Sequence, residues 1–160
     1  MSSSVQVETG QPAPSVILPR DGGGEFDLAE LKGKSVVLYF YPKDDTSGCT
    51  KEAVAFSSKL DEFETAGAAI VGVSKDSVAS HDKFKSKHDL SITLLSDHDG
   101  SVCETFGVWV EKSMYGRKYM GIERSTFLID ASGIVQQVWR KVKVPGHVEV
   151  VLKAVQGAGA

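Results

Sequence analysis

The chain has 160 residues, a size that fits one compact domain around one core. A formal charge of -3, a charged fraction of 24% and a hydrophobic fraction of 41% are ordinary for a globular chain and give no sign of a nucleic-acid partner, which would favour a basic face. No apolar run approaches the ~20 residues of a bilayer span, and Met1 to Gly10 lacks the apolar region of an export signal, so the cytoplasm is the expected compartment, with Cys49 and Cys103 reduced.

Residues 1–10 read as an extended or flexible tail, and Pro12 and Pro14 fix the irregular backbone beyond it. Val16 to Leu18 reads as a short strand and Gly22, Gly23 and Gly24 as a turn. Asp27 caps a helical turn that runs through Leu31 and stops at Gly33. Ser35 to Tyr41 is a continuous apolar, β-branched and aromatic run, which suits a central strand buried on both faces, and Pro42 ends it. Ala53, Phe56, Leu60 and Phe63 recur at helical spacing and predict one helix from Ser47 to Ala66, closed by Gly67.

Ala68 to Ser74 reads as a second buried strand. Ser77 to His88 reads as a helix with Val78 and Phe84 inward, Ile92 to Leu95 as a strand, and Ser101 to Phe106 as a short helix. Strands Ser125 to Asp130 and Ile134 to Trp139 are joined by Ala131-Ser132-Gly133, which suits a hairpin, and a last helix runs from Gly146 to Gln156. No repeat, linker or low-complexity tract divides residues 1–160, which read as a single domain. Alternating strands and helices followed by a hairpin predict an α/β sandwich with a mixed sheet.

Cys49 sits where the loop after the central strand enters a helix. A sulfur there meets unpaired backbone N–H groups and the positive end of the helix dipole, which favour thiolate over thiol. Ionisation alone is a weak lever. A thiol whose pKa falls from about 8.5 to about 6 gains roughly 30-fold in thiolate at pH 7 but loses about tenfold in nucleophilicity. A fast reaction with peroxide therefore needs fixed donors for the charge that builds on the leaving oxygen: the N–H of Cys49, the hydroxyl of Thr46 and a guanidinium, for which Arg124 is the candidate.

Pro42-xxx-Thr46-xx-Cys49 resembles the peroxiredoxin motif. Lys43, Asp44, Gly48, Thr50, Glu52 and Ala53 around it resemble the bacterioferritin comigratory protein, or peroxiredoxin Q, branch. So do Leu95-Ser96-Asp97, Gly107-Val108-Trp109, Glu111-Lys112, Tyr115-Gly116 and the Arg124 to Asp130 segment. The resemblance runs from about Gln11 to the end of the chain. It implies a thioredoxin-like three-layer fold with extra N-terminal strands. It also implies reduction of hydrogen peroxide and organic hydroperoxides, no cofactor or metal, a monomer rather than a dimer, and thioredoxin, glutaredoxin or another thiol protein as reductant. It makes Cys49 the peroxidatic cysteine, gives Thr46 and Arg124 the activation of peroxide and thiolate, has Pro42 shield the site, and makes Glu52 a support for its hydrogen bonds. Ser47 departs from the branch, which usually carries proline there, and serine could itself cap the helix.

After attack on peroxide Cys49 would be a sulfenic acid, which a second thiol can resolve. The branch places that thiol where this chain has Val54 or Lys85, and only Cys103 remains. Cys103 reads as a small buried filler beside Val102 and Phe106 rather than as a resolving thiol, so an external thiol is expected to attack the sulfenic acid. His81, His88, His98 and His147 lack metal-ligand spacing and read as surface residues. Trp109 and Tyr115 either line the mouth of the site or pack on the surface. A thiol–disulfide oxidoreductase is disfavoured because Thr46 and Glu52 stand where Cys-x-x-Cys partners would. A non-catalytic module on the same fold is the remaining rival.

Overall fold

In a computed structural model, which describes residues 7–158, nine strands and five α-helices follow one another. They are β1 (Ile17–Pro19), β2 (Glu25–Asp27), β3 (Ser35–Phe40), α1 (Ser47–Ser58), α2 (Leu60–Thr65), β4 (Ala68–Ser74), α3 (Val78–His88) and β5 (Thr93–Ser96). Then come α4 (Ser101–Thr105), β6 (Trp109–Met114), β7 (Arg117–Ile122), β8 (Ser125–Ile129), β9 (Val135–Trp139) and α5 (His147–Ala158). A 3-10 turn at Leu28–Leu31 is capped by the Asp27 side chain, which accepts from Ala29 N.

The central sheet has the order β5-β4-β3-β8-β9, with β3, β4 and β5 parallel and β8 and β9 antiparallel to their neighbours. This is the expected mixed sheet of an α/β fold. Side chains of β3 alternate between two cores, because successive residues of a strand face opposite ways. Val36, Leu38 and Phe40 join a cluster with β1, β2 and α4, whereas Val37 and Tyr39 join one with α1, α2, α3 and α5. The extra N-terminal strands are the antiparallel β1–β2 hairpin.

Three stretches differ from the sequence expectation. The helix expected from Ser47 to Ala66 breaks at Lys59 (φ -108, ψ 10). Ser58 Oγ donates back to Ala55 O, Ser57 Oγ accepts from Ser91 N, and Lys59 N reaches Phe56 O, so side-chain bonds and a tightened turn compete with the helical ladder there. The polar stretch from Glu111 to Met120 forms β6 and β7, a separate two-stranded sheet turning at Tyr115 (φ 54) and Gly116 (φ 79). Residues 1–6 of the expected tail lie outside the described residues; Val7 is buried, and Gly10 N donates to Val135 O at 2.8 Å.

The topology also fixes where a site can form. The parallel strands leave the sheet at one edge, and β8 runs the other way, so its first residue arrives at that same edge. The pairing of Phe40 with Ser125 puts Arg124 beside the loop that leads from β3 into α1.

Candidate active site

Residues 41–46 connect β3 to α1. Tyr41 N donates to Val73 O at 3.0 Å. Pro42 is half-buried and has no N–H to continue the ladder. Thr46 holds the N-cap position of α1 in extended conformation, so Ser47 is the first helical residue and not the cap. The Thr46 side chain does not cap the helix; its hydroxyl donates to Lys43 O at 3.0 Å. A hydroxyl carries one proton, and a carbonyl can only accept. Thr46, itself exposed, therefore offers the site acceptor lone pairs rather than the donor expected from sequence.

Cys49 is the third residue of α1, where the backbone N–H has no intrahelical acceptor. Its side chain is buried at 2% exposure. Arg124 Nη2 donates to Cys49 Sγ at 3.3 Å, and Nη1 donates to Glu52 Oε1 at 2.6 Å. One planar guanidinium thus holds the Cys49 sulfur and a carboxyl one turn further along the helix, a task the rigid fork of arginine suits. Val142 N fixes the Arg124 carbonyl at 2.9 Å. A Cβ on Gly48 would stand 3.3 Å from Nη2, so glycine there lets the guanidinium close on the sulfur. The structure therefore brings Cys49, Arg124 and Glu52 into direct contact, with Pro42 and Thr46 in the adjoining loop.

The charges are unevenly compensated. Glu52 is completely buried, and burial lifts its carboxyl to about 7 against the lowering pull of Arg124. Its Oε2 has no hydrogen-bond partner among the described residues, and neither has the Tyr39 hydroxyl. Burial, and after it the charges of Glu52 and Cys49, raise the Tyr39 phenol well above its ordinary value. Burial also works against the charge on Arg124, but Glu52 and Cys49 outweigh it and hold the guanidinium proton more firmly than usual. Lys112 on β6 is lowered, first by burial and then by Arg124.

Two histidines read as surface residues are in fact buried. His81 is fully buried, with Nδ1 2.7 Å from Asp44 Oδ2 and Nε2 2.8 Å from Leu95 O. Leu95 O can only accept, so Nε2 carries a proton, and a second proton lies in the bond between Nδ1 and Asp44. Burial opposes a charge on the ring, but the bonds and charge of Asp44 prevail and raise the imidazole. Asp44 also accepts from Tyr41 and Ser80, and Asp76 accepts from Ser74 and from Asp44 N. Asp44, Asp76 and His81 stand close enough to hold a metal ion, but these atoms are already engaged in hydrogen bonds to one another and to their neighbours. His147, at the start of α5, has Nε2 2.8 Å from Thr126 Oγ1, and burial followed by the Arg124 charge lowers it to about 4. The signal for both was present in sequence. His81 continues the inward stripe of Val78 and Phe84, and His147 that of Val151, at helical spacing.

Glu52 and His147 pull the stability of the protein in opposite directions. The Glu52 carboxyl rises from 4.5 to about 7 on folding, so its contribution is complete below 4.5 and is lost as pH climbs through 7. The His147 imidazole falls from 6.5 to about 4, so its contribution is present above 6.5 and is lost as pH drops through 4. Each amounts to roughly 3 kcal/mol over its window, and the two nearly cancel where the windows overlap. Relative to the parent, Glu52→Gln is expected to gain stability as pH rises across its window, and His147→Asn to lose it across the other. Urea midpoints measured across this pH range check the expectation, and parallel curves for parent and both variants would refute it.

Cys103 lies on α4, not on the helix that carries Cys49. It belongs to the cluster on the other face of the sheet from Cys49 and is fully buried. Burial and the neighbouring Asp97 raise its thiol well above the ordinary range. Asp97 also accepts from Cys103 N at 2.7 Å. Val54 is exposed, and Lys85 Nζ binds Asp21 Oδ2 at 2.8 Å.

Disulfide exchangers of thioredoxin shape answer their nucleophilic cysteine with a second cysteine close by. Here the group set against the sulfur is an arginine, Arg124, with Nη2 3.3 Å away. The AhpC/TSA family model matches residues 9–138, and the chain belongs to that family. Peroxiredoxin Bcp of Bacillus subtilis is 49% identical over 150 residues, which cover 94% of this chain and 96% of that protein. Peroxiredoxin Bcp of Escherichia coli is 42% identical over 146 residues, covering 91% and 94%. Among solved structures, Xanthomonas campestris peroxiredoxin Q is 48% identical with a TM-score of 0.86, covering 91% of this chain and 92% of that one. A cysteine-to-serine variant of Xylella fastidiosa PrxQ gives a TM-score of 0.92 at 38% identity, covering 98% and 100%. The chain is thus an enzyme, a thioredoxin-fold thiol peroxidase. Among the described residues no helix is long and apolar enough to cross a membrane.

Proposed function

We propose that this chain reduces hydrogen peroxide and organic hydroperoxides in a one-cysteine cycle centred on Cys49. The observation that carries the reading is the 3.3 Å contact from Arg124 Nη2 to Cys49 Sγ. The thiolate attacks one peroxide oxygen, the S–O bond forms as the O–O bond breaks, and the alkoxide or hydroxide leaves. Arg124 and the N–H of Cys49 stabilise the charge on that leaving oxygen, Thr46 accepts from the peroxide proton, and Pro42 keeps water from the sulfur. Glu52 holds the guanidinium in place. A Xanthomonas neighbour is described by its alkyl peroxide reduction activity, which supports organic hydroperoxides as one substrate class.

The sulfenic acid is then reduced by an external thiol: thioredoxin, glutaredoxin with glutathione, or another thiol protein. The position of Cys103 across the sheet supports this, since a disulfide needs Cα atoms within about 7 Å. The chemistry resides in sulfur and needs no metal or cofactor. The enzyme works as a single-domain monomer in the cytoplasm.

One equivalent of peroxide added to the pure reduced protein tests the cycle. A sulfenic-acid trap should label Cys49 stoichiometrically, and peptide mapping should find both cysteines outside any disulfide. An intramolecular Cys49–Cys103 bond in high yield would sink the one-cysteine reading.

A further inference from the structure

Two groups at this site become anions, Cys49 as its thiolate and Glu52 as its carboxylate, and one guanidinium serves both. Arg124 Nη2 meets the sulfur and Nη1 meets Oε1, while Oε2 stays buried without a partner. Arg124 can balance one buried negative charge, and a second would be left without compensation. We propose that Cys49 and Glu52 share one proton across Arg124, so that the reactive state is a thiolate beside a Glu52 protonated at Oε2. The idea rests on the peroxidase reading and makes Glu52 a positioning residue that acts through Arg124.

The charge balance closes through the reaction. In the resting exchange, the proton leaves Sγ and an equal one settles on Oε2, so the guanidinium always faces one anion. When the thiolate attacks ROOH, the S–O bond forms, the O–O bond breaks, sulfur is oxidised to the neutral sulfenic acid and the peroxide is reduced. The departing RO⁻ needs one proton to become ROH. Sulfur no longer supplies the anion, so Glu52 ionises, gives up the proton from Oε2 and takes over as the partner of Arg124. The sum is Cys49–SH plus ROOH giving Cys49–SOH plus ROH, with the net charge of the site unchanged.

The other ionisable groups around the site come from β3, α5, β6 and the connection between β7 and β8. Tyr39 on β3 is held neutral by burial and the Glu52 charge, and His147 on α5 is held neutral by burial and Arg124. Lys112 on β6 loses its proton more readily than an ordinary lysine, so its titration needs a control. Arg124 itself stays charged.

The thiolate absorbance in the ultraviolet, followed against pH in the reduced protein, reads the sharing without any peroxide. The parent should form its thiolate in two stages and Glu52→Gln in one, because glutamine keeps an acceptor for Nη1 but cannot titrate. The rate of Cys49 oxidation by peroxide should fall about tenfold on the alkaline side in the parent, as the second anion divides Arg124, and that limb should vanish in Glu52→Gln. Lys112→Met should keep the limb. Infrared difference spectra of the parent alone give an independent reading: a protonated-carboxyl band should be lost when Cys49 becomes a sulfenic acid. Identical single-stage titrations in parent and Glu52→Gln would overturn the proposal. So would a rate loss in Glu52→Gln of constant size at every pH, or a carboxyl band that oxidation leaves unchanged. If the parent reduced no peroxide at all, the peroxidase reading would fail, while the absorbance titration would still decide whether the proton is shared.

Discussion

Cys49→Ser is expected to lower peroxide-dependent consumption of dithiothreitol by at least about a thousandfold, to the background of the free reductant, whereas Cys103→Ser should keep most of the activity. The serine hydroxyl sits at the same helix tip but ionises far outside the working range, and oxygen has no counterpart to the sulfenic acid that the cycle must pass through. At position 103 the reasoning runs the other way. The thiol is fully buried, sits on the opposite face of the sheet and is kept protonated by burial and Asp97. A serine hydroxyl there can donate to the same carboxylate, so the cost is about 1 kcal/mol of stability and little rate. Loss of turnover in Cys103→Ser to the level of Cys49→Ser would make Cys103 a working thiol. Equal rates for the parent and Cys49→Ser would reduce the protein to a binding module on a peroxidase fold.

Why the site was legible, and its surroundings only in part, follows from where the information lies. The run from Ser35 to Phe40 and the helix starting at Ser47 are local patterns, and together they place Cys49 at a helix N-terminus on the carboxyl edge of the sheet. That much is period and punctuation. The meeting of Cys49 with Arg124 depends on β8 pairing antiparallel with β3, which no local window contains. Arg124 is a candidate from its place at the start of a strand, the resemblance gives it a role, and only the register of Phe40 with Ser125 brings it to the sulfur. The β6–β7 hairpin escaped because its strands are mostly exposed and carry no apolar alternation, and Tyr115-Gly116 is not a usual hairpin turn pair. The two buried histidines are legible from position rather than residue type: each lies on the buried stripe of its helix, and the stripe decides burial. The direction of the Thr46 proton depends on a loop carbonyl three residues back, a detail of backbone geometry rather than of motif.

Arg124→Ala is expected to slow the oxidation of Cys49 by peroxide by about a hundred- to a thousandfold, the range found when one preorganised donor to a developing oxyanion is removed. Two losses combine. The sulfur loses its 3.3 Å donor, and the leaving oxygen loses the cation best placed to receive its charge. Arg124→Lys should recover only part of the rate, because an ammonium is a point charge and cannot hold Sγ and Oε1 with two fixed arms. Arginine is also structural here, and the two roles can be separated. Its removal strands a fully buried Glu52, and breaking a buried ion pair from one side costs roughly 3–5 kcal/mol. Glu52 escapes much of that penalty by taking up a proton, so the destabilisation should be large well above pH 7 and small well below it, following the carboxyl that burial raises to about 7. Adding Glu52→Gln to Arg124→Ala should then restore stability at high pH without restoring the rate. Stopped-flow oxidation and urea unfolding on the three proteins measure the two quantities independently. If the double variant regained both stability and rate, Arg124 would be a prop for the fold, and the charge on the leaving oxygen would have to be met by another group.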